Sequence, residues 1–199
     1  MKQICDTITQ IKNDAKENFV PIVRDNTLQI LMQEAAKSKA KNILEIGTAT
    51  GYSGLNLLSC TDAKLTTLEK NEGRFCIAKQ NFARAGVQNR VEALCGDAQQ
   101  LLEKLAQEEK VFDFIFLDGP KGQYMRYFPL IKKLLCSGGI LFADNVGVLG
   151  MVGHLETVTH KNRTMVRNMQ SFLDEIKADQ DFETEIFDID DGFLIARKK

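Results

Sequence analysis

The chain predicts an α/β fold in which a mostly parallel sheet, covered by helices on both faces, ends in an antiparallel hairpin. Three observations carry that prediction. Short apolar runs alternate with amphipathic stretches along most of the chain, a glycine-rich turn follows the first apolar run, and an Asp-Gly pair separates the last two. Strands that alternate with helices need right-handed crossovers, so they lie parallel with both faces covered. Asp-Gly between two strand-length runs marks a hairpin instead, because both residue types accept the positive φ of a tight turn.

Each element follows from its local pattern. Ile4, Ile8 and Ile11 recur at helical spacing and predict a helix over 1–18. Asp25 or Asn26 is the expected N-cap of a second helix running through Leu28–Lys39. Strand-length runs follow at 42–46, 64–69, 91–95, 112–118 and 139–144, bounded by Gly, Asp or Asn. Helical stretches lie near 53–60, 72–85, 97–107 and 122–135, and Gly86 is placed to end the second in a left-handed conformation. A helix around 162–178 precedes the hairpin strands Glu183–Ile189 and Gly192–Lys198, which meet at Asp190-Asp191-Gly192.

With 199 residues, 44% of them hydrophobic and 27% charged, the chain suits a single domain over 1–199 of ordinary soluble composition. A net charge of −1 gives no broad attraction to nucleic acid or to an anionic membrane, although it leaves room for a local basic patch. No uncharged run is long enough to span a bilayer, and the first residues lack an apolar core of signal-peptide length. Cys5, Cys60, Cys76, Cys95 and Cys136 are scattered without a CxxC pair. Together these features predict a reduced, cytoplasmic protein with no membrane partner. His154 and His160 have no neighbouring ligand types at metal spacing and read as loop residues.

Two stretches carry chemistry. After the first strand, Glu45-Ile46-Gly47-Thr48-Ala49-Thr50-Gly51-Tyr52-Ser53 runs into a helix. Such a turn lets a ligand approach backbone and helix N-terminus closely. The middle glycine of G-x-G-x-x-G, which makes room for a pyrophosphate, is missing. S-adenosylmethionine has no phosphate and suits this loop better than a dinucleotide. A NAD(P)-dependent oxidoreductase is the competing class, and the terminal hairpin also argues against it. Glu69 ends the second strand, where an acidic side chain accepts hydrogen bonds from ribose hydroxyls, and Gly96-Asp97-Ala98 ends the third. Tyr52 fits packing and cofactor contact equally. The second stretch is split: Asp118 closes the fourth strand, with Lys121 three residues on, and Asp144-Asn145 closes the fifth. On adjacent strand ends, two carboxylates and an amide oxygen form a hard donor set suited to Mg²⁺. Helix capping by Asp118 and turn formation at Asp144-Asn145 account for the same residues without a metal.

The chain resembles the seven-stranded class I methyltransferase fold. Within it, the chain is similar to the cation-dependent O-methyltransferases, which include catechol and caffeoyl-coenzyme A O-methyltransferases. The similarity rests on Val20–Val23, Ile43–Ser53, Leu68–Lys70, Gly96–Ala98, Phe116–Tyr124 and Ala143–Val146. It implies that Asp118, Asp144 and Asn145 hold a divalent cation, Mg²⁺ or another, and that Lys121 is the catalytic base. It places Val23, Gly47, Ser53, Glu69 and Ala98 on S-adenosylmethionine, and Tyr52, Asp97 and Asp118 complete the expected cofactor set. The helices of 1–38 would flank cofactor and acceptor, and a homodimer is implied. In such a site the coordinated cation acidifies the acceptor hydroxyl and a lysine beside it is pushed towards its neutral form.

The acceptor is either a small catechol-like phenol or tRNA. The second follows from a further resemblance, across His160–Met169, to bacterial tRNA hydroxyuridine methyltransferases. Lys161, Arg163 and Arg167 would then meet phosphates, assisted by Arg126, Lys132 and Lys133. The apolar segment 146–160, with its three glycines, reads equally as a mobile lid and as a packed connection.

Overall fold

The computed structural model describes residues 2–18, 20–147, 150, 152 and 159–199. Helices α1 (Lys2–Glu17) and α2 (Asp25–Lys37) precede β1 (Asn42–Ile46), α3 (Tyr52–Cys60), β2 (Lys64–Glu69), α4 (Glu72–Arg84) and β3 (Val91–Cys95). Then come α5 (Ala98–Gln107), β4 (Phe112–Leu117), α6 (Tyr124–Leu134), β5 (Leu135–Asp144), α7 (Arg163–Ala178), β6 (Phe182–Phe187) and β7 (Phe193–Lys198). The strands form one sheet in the order β3-β2-β1-β4-β5-β7-β6. The first five are parallel, and β7 runs antiparallel to both β5 and β6. This is the predicted class I methyltransferase architecture.

Central strands are covered on both faces, so β1 and β4 are almost entirely buried and their sequences are mostly apolar, broken within the run only by Glu45 and Asp113. Alternation along them feeds two cores. Leu44, Ile46, Ile115 and Leu117 face one set of helices with Leu102, Phe128 and Phe172, while Ile43, Phe114 and Phe116 face the other with Ile11, Leu31, Leu55 and Phe82. The strand order reverses between β1 and β4, and ligands bind parallel sheets outside the strand ends at such a reversal. Register places Ile46 beside Leu117, and Leu117 beside Ala143, so the residues that follow these strands emerge at one edge.

Two local expectations are corrected. The fifth strand begins at Leu135, directly after α6, with a register shift opposite Phe112 and Phe114. Its polar Ser137-Gly138-Gly139 segment hid that start from periodicity. The N-cap of α2 is Arg24, which makes no side-chain cap, and neither Asp25 nor Asn26 takes that role. Asp25 pairs with Lys12 at 2.5 Å. The capping carboxylate belongs to Asp190, which accepts from the Thr27 amide at 3.0 Å. A local capping rule cannot see a partner 163 residues away. Among the described residues no helix is long and apolar enough to cross a membrane.

One charged side chain sits inside the sheet. Glu45, with no exposed surface, accepts hydrogen bonds from Ser53 Oγ at 2.5 Å and Thr67 Oγ1 at 2.6 Å. Burial pushes its carboxyl up to about 7, outweighing the two donors that favour the anion. A raised folded-state value contributes stability that is complete below the unfolded value of 4.5 and is lost as pH climbs through about 7. Relative to Glu45→Gln, the wild type should therefore lose about 3 kcal/mol of unfolding free energy across that window. Urea melts of both proteins at a series of pH values measure the difference. A gap that stays constant with pH would mean that Glu45 ionises normally.

Candidate active site

A cleft of about 840 Å³ opens at the carboxyl edge of the sheet, where the strand order reverses. Its walls come from the segment Pro21–Arg24, the loop after β1, and the ends of β2, β3, β4 and β5. Of the predicted cofactor set, Val23, Gly47, Glu69, Asp97, Ala98 and Asp118 line it. Tyr52 and Ser53 do not: Tyr52 is packed in the core, and Ser53 is occupied by Glu45 behind the loop.

On one side the backbone sets the shape. Gly47 has φ +109°, and a Cβ there would lie 2.3 Å from the carbonyl oxygen of Asp118. Any other residue would force β1 and β4 apart. The Ala49 amide donates to Glu69 Oε2 at 2.8 Å, and the Asn71 amide to Oε1 at 2.8 Å. The carboxylate is thereby held by two backbone donors while each oxygen keeps a second lone pair. Asp97 caps α5 through the Gln99 amide at 3.1 Å and pairs with Lys70 at 3.0 Å. The Lys70 hydrogen bond is the main reason its carboxyl titrates below the usual range.

Gln99 escaped the sequence analysis. Its Nε2 donates to Glu103 at 2.6 Å, whereas its Oε1 is buried, without a partner, in a residue that lines the cleft. A buried acceptor left unmade costs free energy, which makes this atom a candidate to meet a ligand N–H. A glutamine on a helix carries no signal by type. Its only clue was adjacency to Ala98.

On the other side Asp118, Lys121, Asp144 and Asn145 converge. Lys121 Nζ donates to Asp118 Oδ1 at 2.7 Å and to the Tyr124 hydroxyl at 3.0 Å. Tyr124 is fully buried, with its hydroxyl 3.0 Å from both the Leu117 and Asp144 carbonyls, one on each strand end. With a single proton it donates to one carbonyl at a time. Asn168 on α7 holds the lysine's turn through the Gly122 carbonyl at 2.9 Å. Neither Tyr124 nor Asn168 was foreseen, because a tyrosine on a core-facing helix position reads as packing.

Asp144 is buried and accepts from the Asn145 amide at 2.7 Å, with Asn145 in the left-handed region at φ 54°. Burial, then the charge of Asp118, pushes the Asp144 carboxyl up to about 7. For Lys121, burial is the largest influence and acts downward, yet Tyr124 and Asp118 outweigh it and the ammonium is favoured. Lys121 is itself the positive charge that Asp118 faces. Among the described residues no group of three or more His, Cys, Asp or Glu is gathered as for a metal. The candidate set is two carboxylates and an amide.

The basic residues are dispersed in their roles. Lys132 pairs with Asp179 at 2.6 Å and with Asp181 at 2.8 Å. Arg126, Lys133, Arg163 and Arg167 are exposed, and Arg126 lines the cleft. The Lys161 side chain, His154 and most of 146–160 lie outside the described residues.

The profile of the O-methyltransferase family matches residues 2–199. The caffeoyl-CoA O-methyltransferase of Populus kitakamiensis is 27% identical over 204 residues, covering all of this chain and 86% of its own. A catechol O-methyltransferase of Niastella koreensis is 34% identical over 146 residues, which is 71% of this chain and 66% of its own. The O-methyltransferase of Bacillus cereus, solved in complex with S-adenosylhomocysteine, is 28% identical with a TM-score of 0.87, covering 98% of this chain and 91% of that one.

Tyr124→Phe tests the tie between β4 and β5. The lost hydroxyl should cost about 1 kcal/mol of stability. Because the freed strand ends carry Asp118 and Asp144, turnover should fall about tenfold at unchanged affinity for adenosylhomocysteine. Wild-type turnover in the folded variant would mean that packing alone aligns the two strand ends.

Proposed function

The chain belongs to the O-methyltransferase family, as an S-adenosylmethionine-dependent enzyme of the caffeoyl-CoA and catechol type, and from that premise we propose that its acceptor is a small phenol with two adjacent oxygens, held on a divalent cation. The observation that carries this reading is the convergence of Glu69, Gln99, Asp118, Lys121, Asp144 and Asn145 on one cleft. Glu69 would accept hydrogen bonds from ribose hydroxyls, and the unpartnered Oε1 of Gln99 would take the adenine amino group. Gly47 lets the remainder of the cofactor approach the backbone between β1 and β4.

The donors fit a hard cation. Asp118 and Asp144 repel each other in a partly buried site, Asp118 already sits against a positive charge, and Asn145 adds a neutral oxygen. A cation bound there supplies Lewis acidity, which lowers the pKa of an acceptor hydroxyl and orients its oxygen. Lys121 takes the proton. Its high affinity for protons depends partly on Asp118, so engaging Asp118 elsewhere leaves burial to favour the neutral amine. The acceptor oxygen then forms its bond to the methyl carbon as the carbon–sulfur bond breaks, its electron pair going to sulfur. Phenolate and sulfonium neutralise each other as they react, which a water-poor cleft favours.

Exhaustive chelation should abolish transfer of labelled methyl to catechol while leaving adenosylhomocysteine affinity intact, and Asp144→Ala should do the same. Full activity in EDTA would overturn the cation-dependent reading.

A second acceptor, hydroxyuridine in tRNA, draws support from one feature. Arg163 and Arg167 are exposed one turn apart on α7, and Met165 between them lies against Gly122 in the lysine's turn. With tRNA as acceptor, replacing both arginines by alanine should raise its KM and flatten the salt dependence by about two counterions. With a phenol as acceptor, the same protein should show wild-type catechol kinetics. Assays of both acceptors at two salt concentrations separate the two.

A further inference from the structure

Three segments meet at the turn of the C-terminal hairpin. From the first turn of α2, Asp190 Oδ2 accepts the Thr27 amide at 3.0 Å and Thr27 Oγ1 at 2.9 Å, while Oδ1 accepts Asn26 Nδ2 at 3.1 Å. Helix N-termini carry amides with no partner inside the helix, and the dipole there favours an anion. Because Arg24 contributes no cap of its own, Asp190 supplies what this helix lacks. Immediately before the helix, Pro21–Arg24 form a wall of the cleft, with Val23 buried. The next two residues of the turn reach the opposite wall. The Asp191 carbonyl accepts the Gly147 amide at 2.9 Å and the Gly192 carbonyl accepts the Val146 amide at 2.9 Å, directly after Asp144 and Asn145.

The conformation of Asp190 adds an independent observation. Its φ is 58°, in the left-handed region that glycine and asparagine occupy most easily. Either would suit the backbone at this turn, but glycine has no carboxylate and asparagine loses its charge. The carboxyl is also held below its usual range: burial opposes this, and hydrogen bonds from Thr27 and Asn26 overcome it. The aspartate serves the helix rather than the turn.

We propose that Asp190 is a positioning residue for the methyl donor, docking the segment Pro21–Arg24 against the cleft by capping α2 from the far end of the chain. The proposal rests on the cleft being the S-adenosylmethionine site. Asp190 does not itself line the cleft, and the proposed chemistry takes place at Asp118, Lys121 and Asp144. Its loss should therefore weaken cofactor binding more than turnover.

Asp190→Gly removes the carboxylate while relieving the backbone. It should raise the Kd for adenosylhomocysteine and the KM for S-adenosylmethionine about tenfold, with kcat kept within about threefold. Hydrogen exchange of the amides of 22–28 should accelerate. Asp190→Asn, which keeps an acceptor and tolerates this φ, should recover most of the affinity. Thr27→Val removes one donor, leaves the turn untouched and should give a smaller loss of the same kind. It carries the test if the glycine variant does not fold. Wild-type affinity and wild-type exchange at 22–28 in Asp190→Gly would overturn the proposal. A drop in kcat with unchanged KM would overturn it too, since that pattern belongs to the opposite wall. Calorimetry of the wild type with adenosylhomocysteine comes first: no binding there would overturn the cofactor reading of the cleft, whereas tight binding unaffected by every variant would overturn only the role of Asp190.

Discussion

Where β1 leaves the sheet, the chain passes so close to the end of β4 that a side chain on Gly47 would overlap the carbonyl of Asp118 at 2.3 Å. The cleft depends on that approach. It lets the loop after β1 turn under its own Glu45, which is tied to Ser53 and Thr67, and lets the Ala49 amide reach Glu69 on the neighbouring strand. The same approach delivers Asp118 to the cleft beside the loop that follows β1. The two sides of the cleft are thereby joined through backbone rather than through mobile side chains, and the proposed in-line transfer would gain from such a frame.

Charge is the second constraint. Asp118 and Asp144 raise each other's energy, and burial of Asp144 sharpens the conflict. Lys121 relieves it in this structure, with Tyr124 supporting the ammonium from below. A site that holds its lysine protonated by means of one carboxylate can release the proton affinity when that carboxylate is engaged by something else. In the proposed reading, the ion pair and a basic lysine are two states of one cluster, selected by what occupies the edge.

The two ends of the chain meet over the same cleft. Asp190 caps α2, and Glu34 further along that helix pairs with Arg197 on the last strand. The bonds from Asp190 to Thr27 are part-buried, and in the proposed role they tie the N-terminal wall of the cleft to the C-terminal hairpin.

Much of this was legible in the amino-acid sequence. Buried central strands read as mostly apolar runs, Asp190-Asp191-Gly192 announced the hairpin, and the missing middle glycine after β1 argued against a dinucleotide. Those signals are local, set by side-chain period and by which residues accept a positive φ. Strand ends carrying Gly47, Glu69, Asp118 and Asp144 were placed on one edge by topology alone. The tertiary structure decided the rest. Tyr52 went to the core, Gln99 was left with an unpartnered oxygen at the cleft, Tyr124 became the tie between two strands, and the cap of α2 came from Asp190. For Tyr52, Tyr124 and Asp190 the deciding partner lies on an element that sequence spacing does not relate to the residue, and a hydrogen bond acquires its meaning only when both ends are in place.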